Sequence, residues 1–378
     1  AVGQLGSTLA IRAGTAGVDP RQNRPFGLRA AEAEALVTSP AAGKGGVGEK
    51  VAVITGASTG IGLATASAMA RSGRYKKIVL AGRDEAKHVK AIDRLRGELE
   101  DASKVTFEHA PLDLASLESV RAFASNFAAS GEALDTLVLN AGVMAVPQRN
   151  ITEDGYEYHF GVNHLAHFLL ANLLIDTMVR SATASDPGRV IVLSSAAHLF
   201  PSALSRGDLS ELDSNNYNPW VAYGQSKLAN LLFAYELDRR CRERGLPISA
   251  NAVNPGAVQT ELGRYITPDT GELGRKLKDV MQPLLNSVAQ SPEEGARTSA
   301  LLAIGSEGKL SGRYWQNEHP ASSLEGHIPE PMRALIPGFV KGIVPGTSYD
   351  LATWAALWRR SEEMVGLKAG EAAALAEN

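Results

Sequence analysis

The sequence predicts one α/β domain built on a doubly wound, mostly parallel sheet of about seven strands, with helices on both faces. Short β-branched runs recur along the chain, among them KVAVIT at 50–55, KIVL at 77–80, TLVL at 136–139 and RVIVL at 189–193. Runs this apolar suit strands buried on both faces. Longer stretches of helical character separate them, as parallel β-α-β crossovers require. The first run also leads straight into a glycine-rich turn, TGASTGIG at 55–62, and then into the helical stretch LATASAMARSG, closed by Gly73.

Bulk properties bound the function. With 378 residues, 44% of them hydrophobic, the chain can bury a sizeable core. A net charge of −3 gives no global attraction to nucleic acid, and no nucleic-acid partner is expected. The single cysteine, Cys241, excludes an internal disulfide and a multi-cysteine zinc site, and no metal site is expected. No run is read as reaching the roughly 20 apolar residues that cross a bilayer.

Residues 1–48 are rich in Ala and Gly, with scattered Arg12, Arg21, Arg24 and Arg29. They read as a flexible leader, the remnant of an organelle-targeting region, with an arm packed on the domain as the alternative. The ordered domain is expected over 49–316. In TGASTGIG, Gly56 makes the tight turn, Gly60 lets the backbone approach a pyrophosphate, and Gly62 lets helix and strand pack closely. Ser58, Thr59 and Ile61 complete the cofactor-facing loop, and the helix N-terminus offers free N–H groups to phosphate. This is a Rossmann-like context, although the spacing is G-x-x-x-G-x-G. The second strand ends Ala81-Gly82-Arg83 rather than in a carboxylate. Arg83 suits a 2′-phosphate and favours NADPH/NADP+, while Asp84 one residue later argues caution.

A charged helix is expected over 85–102, then the strand KVTFEHAPLDL, with Asp113 at its end placed to accept from an adenine amino group. The fourth strand closes on Asn140-Ala141-Gly142, small enough for a ribose to lie against the backbone. A helix is expected from Glu153 to Met178, N-capped by Thr152, with acidic residues in its first turn. It carries Asn163 on an apolar face, as a core hydrogen-bonder or part of a site. His164 and His167 beside it read as structural. Ser194 and Ser195 end the fifth strand, where doubly wound sheets bind ligands. After a loop-rich insertion comes VAYGQSKLAN (221–230) on a helix over 220–244, which sets Tyr223 and Lys227 one turn apart on one face. An ammonium close to a phenol is expected to lower its pKa from about 10 towards neutrality. The sixth strand, 248–256, breaks at Pro255-Gly256, and Val258 and Thr260 follow, Thr260 where it can bond a carboxamide. Residues 261–295 read as a lid in which Met281, Leu284 and Leu285 cover an apolar substrate. A helix over 292–304 and a last strand at SGRYW follow. The Pro/Gly-rich stretch 317–348 reads as a packed loop, with a hydrophobic flap or interfacial anchor as alternatives. Residues 349–378 form a final amphipathic helix and tail.

TGASTGIG, NAG, the serine of LSSAA, YGQSK and NPGAVQT stand in the order of the short-chain dehydrogenase/reductase family, which this sequence resembles over about residues 50–316 and the tail helix. The resemblance implies that Tyr223 donates or accepts a proton. It implies that Lys227 lowers the Tyr223 pKa and binds the nicotinamide ribose, that Ser195 holds the substrate oxygen, and that Asn163 supports the helix and a water leading to Lys227. Within the family, ITEDGYEYHFGVNHLAHFLL, AYGQSKLAN and LWRRSEEMVGL are similar to the branch holding retinol dehydrogenases, a chloroplast import-associated dehydrogenase and protochlorophyllide reductase. That implies NADP(H)-dependent reduction or oxidation of a bulky apolar carbonyl or alcohol, such as a retinoid-like, isoprenoid or lipid aldehyde. Light-dependent protochlorophyllide reduction is the alternative, as is a non-catalytic subunit of a larger organellar assembly. NAG, LSSAA and YGQSK depart from the light-dependent enzyme's usual NAA, VGSITG and YKDSK. A plastid location follows from the leader and this branch, with the cytoplasm otherwise. A homodimer, docking to a larger complex and peripheral membrane contact stay open.

Overall fold

The computed structural model describes residues 49–199, 217–256, 258, 290–321, 351–368 and 370–375. The predicted leader, most of the loop before Tyr223, residues 261–289 of the lid expected over 261–295, Thr260 and residues 322–350 lie outside them. In chain order the elements are β1 (Lys50–Thr55), α1 (Gly60–Arg71), β2 (Tyr75–Gly82), α2 (Glu85–Gly97), β3 (Thr106–Pro111), α3 (Leu117–Ala129) and β4 (Thr136–Leu139). Then follow α4 (Tyr158–Ser181), β5 (Gly188–Leu193), α5 (Pro219–Glu243), β6 (Ile248–Asn254), α6 (Pro292–Ile304), β7 (Arg313–Gln316), β8 (His319–Pro320) and α7 (Leu351–Val365).

The sheet order is β3-β2-β1-β4-β5-β6-β7-β8, parallel except for β8. The chain winds outward from β1 to β3, then returns to lay β4 on the other side of β1. That reversal opens a crevice at the C-terminal ends of β1 and β4. One core lies between the sheet and α3, α4, α5 and α7. A second lies between the sheet and α1, α2 and α6.

Several boundaries differ from the expectation. The helix expected at Glu153 begins at Tyr158. Residues 152–156 fold back on themselves instead, with Thr152 N donating to Tyr156 O (2.8 Å) and Gly155 N to Thr152 O (3.0 Å). The cap is Glu157, whose carboxylate accepts from His159 N and Phe160 N, so Thr152 is not the N-cap. This α4 is also long and apolar enough to span a bilayer, against the sequence reading, but 83% of that span is buried in the fold. Its apolar character serves a core helix with protein on nearly every side. Helix α2 stops at Gly97 and not near 102, because Asp101 caps a separate short turn. Asp113 stands two residues past β3 rather than ending it.

Strand β8 adds an eighth strand and carries the sheet past residue 316. It pairs with β7 through a two-residue turn, Asn317-Glu318, in which both residues have positive φ. Such primed turns match strand twist but normally favour Asn-Gly. Here Glu318 N donates to Thr298 Oγ1 at 3.0 Å, which holds the unusual residue in place.

At the far end of the sheet, Arg189 is 2% exposed. Its Nη1 donates to the carbonyls of Leu302, Ala303 and Gly305 at 2.8–2.9 Å. These belong to the C-terminus of α6, where carbonyls lack helical partners and a cation is favoured. Arg189→Leu is expected to lower the free energy of unfolding by about 3 kcal/mol, because it strands buried acceptors. A urea midpoint unchanged from the parent would refute this.

Candidate active site

The glycine turn is held in its shape by β4. Gly56 has φ +66°, and a Cβ there would stand 2.9 Å from Ala141 Cα. At Gly62 a Cβ would meet Asn140 Nδ2 at 2.5 Å and Gly56 O at 2.6 Å. Asn140 Nδ2 donates to Thr55 O (2.8 Å) and Gly56 O (3.1 Å), fastening the turn to the end of β4. Thr59 precedes α1 with its side chain making no cap bond, so the first N–H groups of α1 face the crevice.

One cleft runs along this crevice. It brings together Gly56, Ser58, Thr59, Gly60, Ile61, Arg83, Asp113, Asn140, Ala141, Gly142, Tyr223, Lys227 and Pro255. Gly62 lies behind the turn, where its role is the close contact with Asn140. Gly256 follows Pro255, with its amide on Asn254 Oδ1. Val258 bridges to Gln290 rather than lining the cleft. The sequence reading missed Lys87, His88, Leu112, Leu114, Ala115, Tyr158 and Val162, which also line it. His88 is fixed by its own helix, its Nδ1 donating to Asp84 O at 2.7 Å, and stacks on His109 at 4.7 Å.

At the β2 end of the cleft, Asp84 and Arg83 have different partners. Asp84 is committed as the N-cap of α2, accepting from Lys87 N at 3.0 Å. Arg83 stays 57% exposed over the cleft, 3.7 Å from Asp113 Oδ2. Asp113 keeps its other oxygen on Ala115 N.

At the opposite end, the two serines divide their duties. Ser194 Oγ donates to Lys227 O at 2.7 Å and is structural. Ser195 hydrogen-bonds the Tyr223 side chain. Burial pushes the Tyr223 phenol up to about 12, only partly offset by Ser195. Burial pushes Lys227 down to about 8. The phenol is therefore raised rather than lowered towards neutrality in this geometry. Lys227 Nζ donates to Leu193 O at 3.1 Å and stands 5.7 Å from the centre of the Tyr223 ring, and burial sets the direction of the shift.

Asn163 sits in a π-helical turn, Gly161–Leu165, inside α4. Its carboxamide clamps Val143, accepting from N at 2.8 Å and donating to O at 2.9 Å. It also donates to Ser226 Oγ (2.9 Å), which donates to Tyr223 O. Asn163 is thus both a core hydrogen-bonder and a support for the Tyr223 helix. His167 bridges Asn163 O and Thr55 Oγ1, both at 2.9 Å. His159, absent from the sequence reading, packs edge-on to the Tyr223 ring at 6.2 Å, its Nδ1 on Glu157 at 2.8 Å. No spacing rule separates it from its two histidine neighbours.

The residues present fit a nicotinamide dinucleotide, since the glycine turn at Ser58–Ile61 lines the cleft and leaves the first N–H groups of α1 open to phosphate there. With the parallel sheet and the serine–tyrosine–lysine arrangement, these features define a nicotinamide-dependent oxidoreductase. The chain belongs to the short-chain dehydrogenase family, whose model matches residues 50–206. It is similar to polyprenol dehydrogenase of Homo sapiens, 36% identical over 84% of this chain and 86% of the relative. It is also similar to retinol dehydrogenase 13 of Homo sapiens, 39% identical over 85% and 86%. Among solved structures it resembles L-sorbose reductase from Gluconobacter frateurii complexed with NADPH and L-sorbose, with 25% identity, TM-score 0.53, and coverage of 72% of this chain and 95% of that one.

Proposed function

We propose that the chain is an NADP(H)-dependent reductase or dehydrogenase of isoprenoid-type aldehydes and alcohols. The observation that carries the reaction type is the buried Tyr223, hydrogen-bonded to Ser195 and one turn from Lys227 at the mouth of the dinucleotide cleft. The nicotinamide, when bound, supplies or takes up the hydride. Ser195 orients the substrate oxygen, and the Tyr223 hydroxyl gives or receives the proton there. Lys227 holds the cofactor's ribose. Asn163 and Ser226 keep the helix in register with this task.

Support for the substrate class comes from the relatives. Polyprenol and retinol are both isoprenoid alcohols, and proteins named for acting on them match this chain over most of its length. Support for NADP(H) comes from Arg83, exposed where a 2′-phosphate would lie, with the neighbouring Asp84 committed to a helix cap. Purified protein is expected to oxidise NADPH with all-trans-retinal or a polyprenal. Arg83→Ala should weaken NADPH at least tenfold more than NADH, the size of one bidentate charged contact. Equal losses for the two cofactors would remove the 2′-phosphate role, and no turnover on either aldehyde would remove the substrate class.

A further inference from the structure

The stretch carrying Tyr223 and Lys227 ends on Asn230, fully buried three residues beyond Lys227. Its Nδ2 donates to Leu193 O at 3.0 Å, the same carbonyl that accepts from Lys227 Nζ at 3.1 Å. Its Oδ1 faces His164, and that oxygen and His164 Nδ1 are both buried without a hydrogen-bond partner among the described residues. His164 Nε2 in turn meets Ser361 Oγ at 2.9 Å. Ser361 sits on α7, 1% exposed.

Proton positions follow from the chemistry of the groups. Burial pushes His164 down to about 3, so the ring is neutral and carries one N–H. With that hydrogen on Nδ1, His164 donates towards Asn230 Oδ1 and accepts from the Ser361 hydroxyl. The opposite tautomer sets a lone pair against Oδ1, and only the first gives every group a complement. A short approach of these two unpartnered atoms completes a chain in one direction, from Ser361 through His164 and Asn230 to the carbonyl beneath Lys227. Asn163 and His164 lie next to each other in the π-turn, both fully buried.

We propose that Asn230, His164 and Ser361 are positioning residues for Lys227, so that the tail helix α7 is a working part of the active site. Titratable groups near Lys227 are Tyr223 on its own helix and His167 on α4, with His164 beside His167. All are neutral near pH 7, so the Leu193 carbonyl, held by Asn230, is the dipole that favours the ammonium.

This rests on the role given above to Lys227 in binding the cofactor, and its test reads binding rather than turnover. The full chain is titrated with NADPH by fluorescence from pH 6.5 to 9.5, alongside Ser361→Ala, Ser361→Thr and Asn230→Asp, with melting temperatures for each. Ser361→Ala is expected to weaken NADPH about threefold near pH 8.5, where Lys227 titrates, and to leave affinity near pH 6.5 unchanged. Ser361→Thr, which keeps the hydroxyl, should restore it. Asn230→Asp sets a carboxylate beside Lys227 and should move the alkaline loss of affinity up by about one pH unit. A lower melting temperature in Ser361→Ala, with affinity unchanged at both pH values, would overturn the proposal. Should Asn230→Asp fail to fold, the two Ser361 variants decide alone. Absence of turnover on isoprenoid aldehydes would count against the substrate class and leave this titration intact.

Discussion

Tyr223→Phe is expected to lower kcat by about a thousandfold, within the range that a positioned proton donor contributes. NADPH affinity should change by less than about threefold, since this substitution removes only the hydroxyl. The ring itself is kept, with its edge contact to His159. Only the oxygen bonded to Ser195 disappears. Stopped-flow reduction of an aldehyde measures the first quantity and fluorescence titration the second. Turnover within tenfold of the parent would sink the proton-transfer role, and so would a loss confined to KM.

Acid is expected to destabilise the cofactor-free protein steeply. His164 and His167 are fully buried, and burial pushes them down to about 3 and about 4 from an ordinary 6.5. As pH falls below 6.5 the unfolded chain takes up these protons while the folded chain does not. Stability from this source is complete above pH 6.5 and drains away towards pH 4. Each ring contributes a slope approaching about 1.4 kcal/mol per pH unit in that window. Urea unfolding at several pH values between 4.5 and 7 measures the slope, and His167→Gln should reduce it by about half the combined contribution. A flat profile below pH 6.5 would show that the rings are not held neutral.

Much of the sheet was legible because its strands are apolar runs and its first turn is a glycine loop in strand–helix context. Arg83, Asn140 and Tyr223 were legible because each stands at a fixed place relative to such an element. Asn163 was legible as an amide on an apolar face, but the π-turn around it was not, since no period in the sequence marks one extra residue in a helical turn. Glu157 displaced Thr152 as the cap because a fold-back at 152–156 outcompeted a longer helix. The pKa of Tyr223 could not be read from the Lys227 spacing at all. It depends on how much water the fold removes, and that is set by residues far along the chain.

Helix α7 gives this arrangement an order in time. Ser361 meets His164 across 197 residues of sequence. Arg121 reaches Val365 O, Gly366 O and Glu371 from the other half of the fold. During synthesis the glycine loop, the sheet and the Tyr223 helix all emerge before the segment that packs beneath them. The contact under His164 is therefore made by residues translated after the whole sheet and the Tyr223 helix. A nascent chain already able to pair its strands still lacks the Ser361–His164 contact until α7 has emerged.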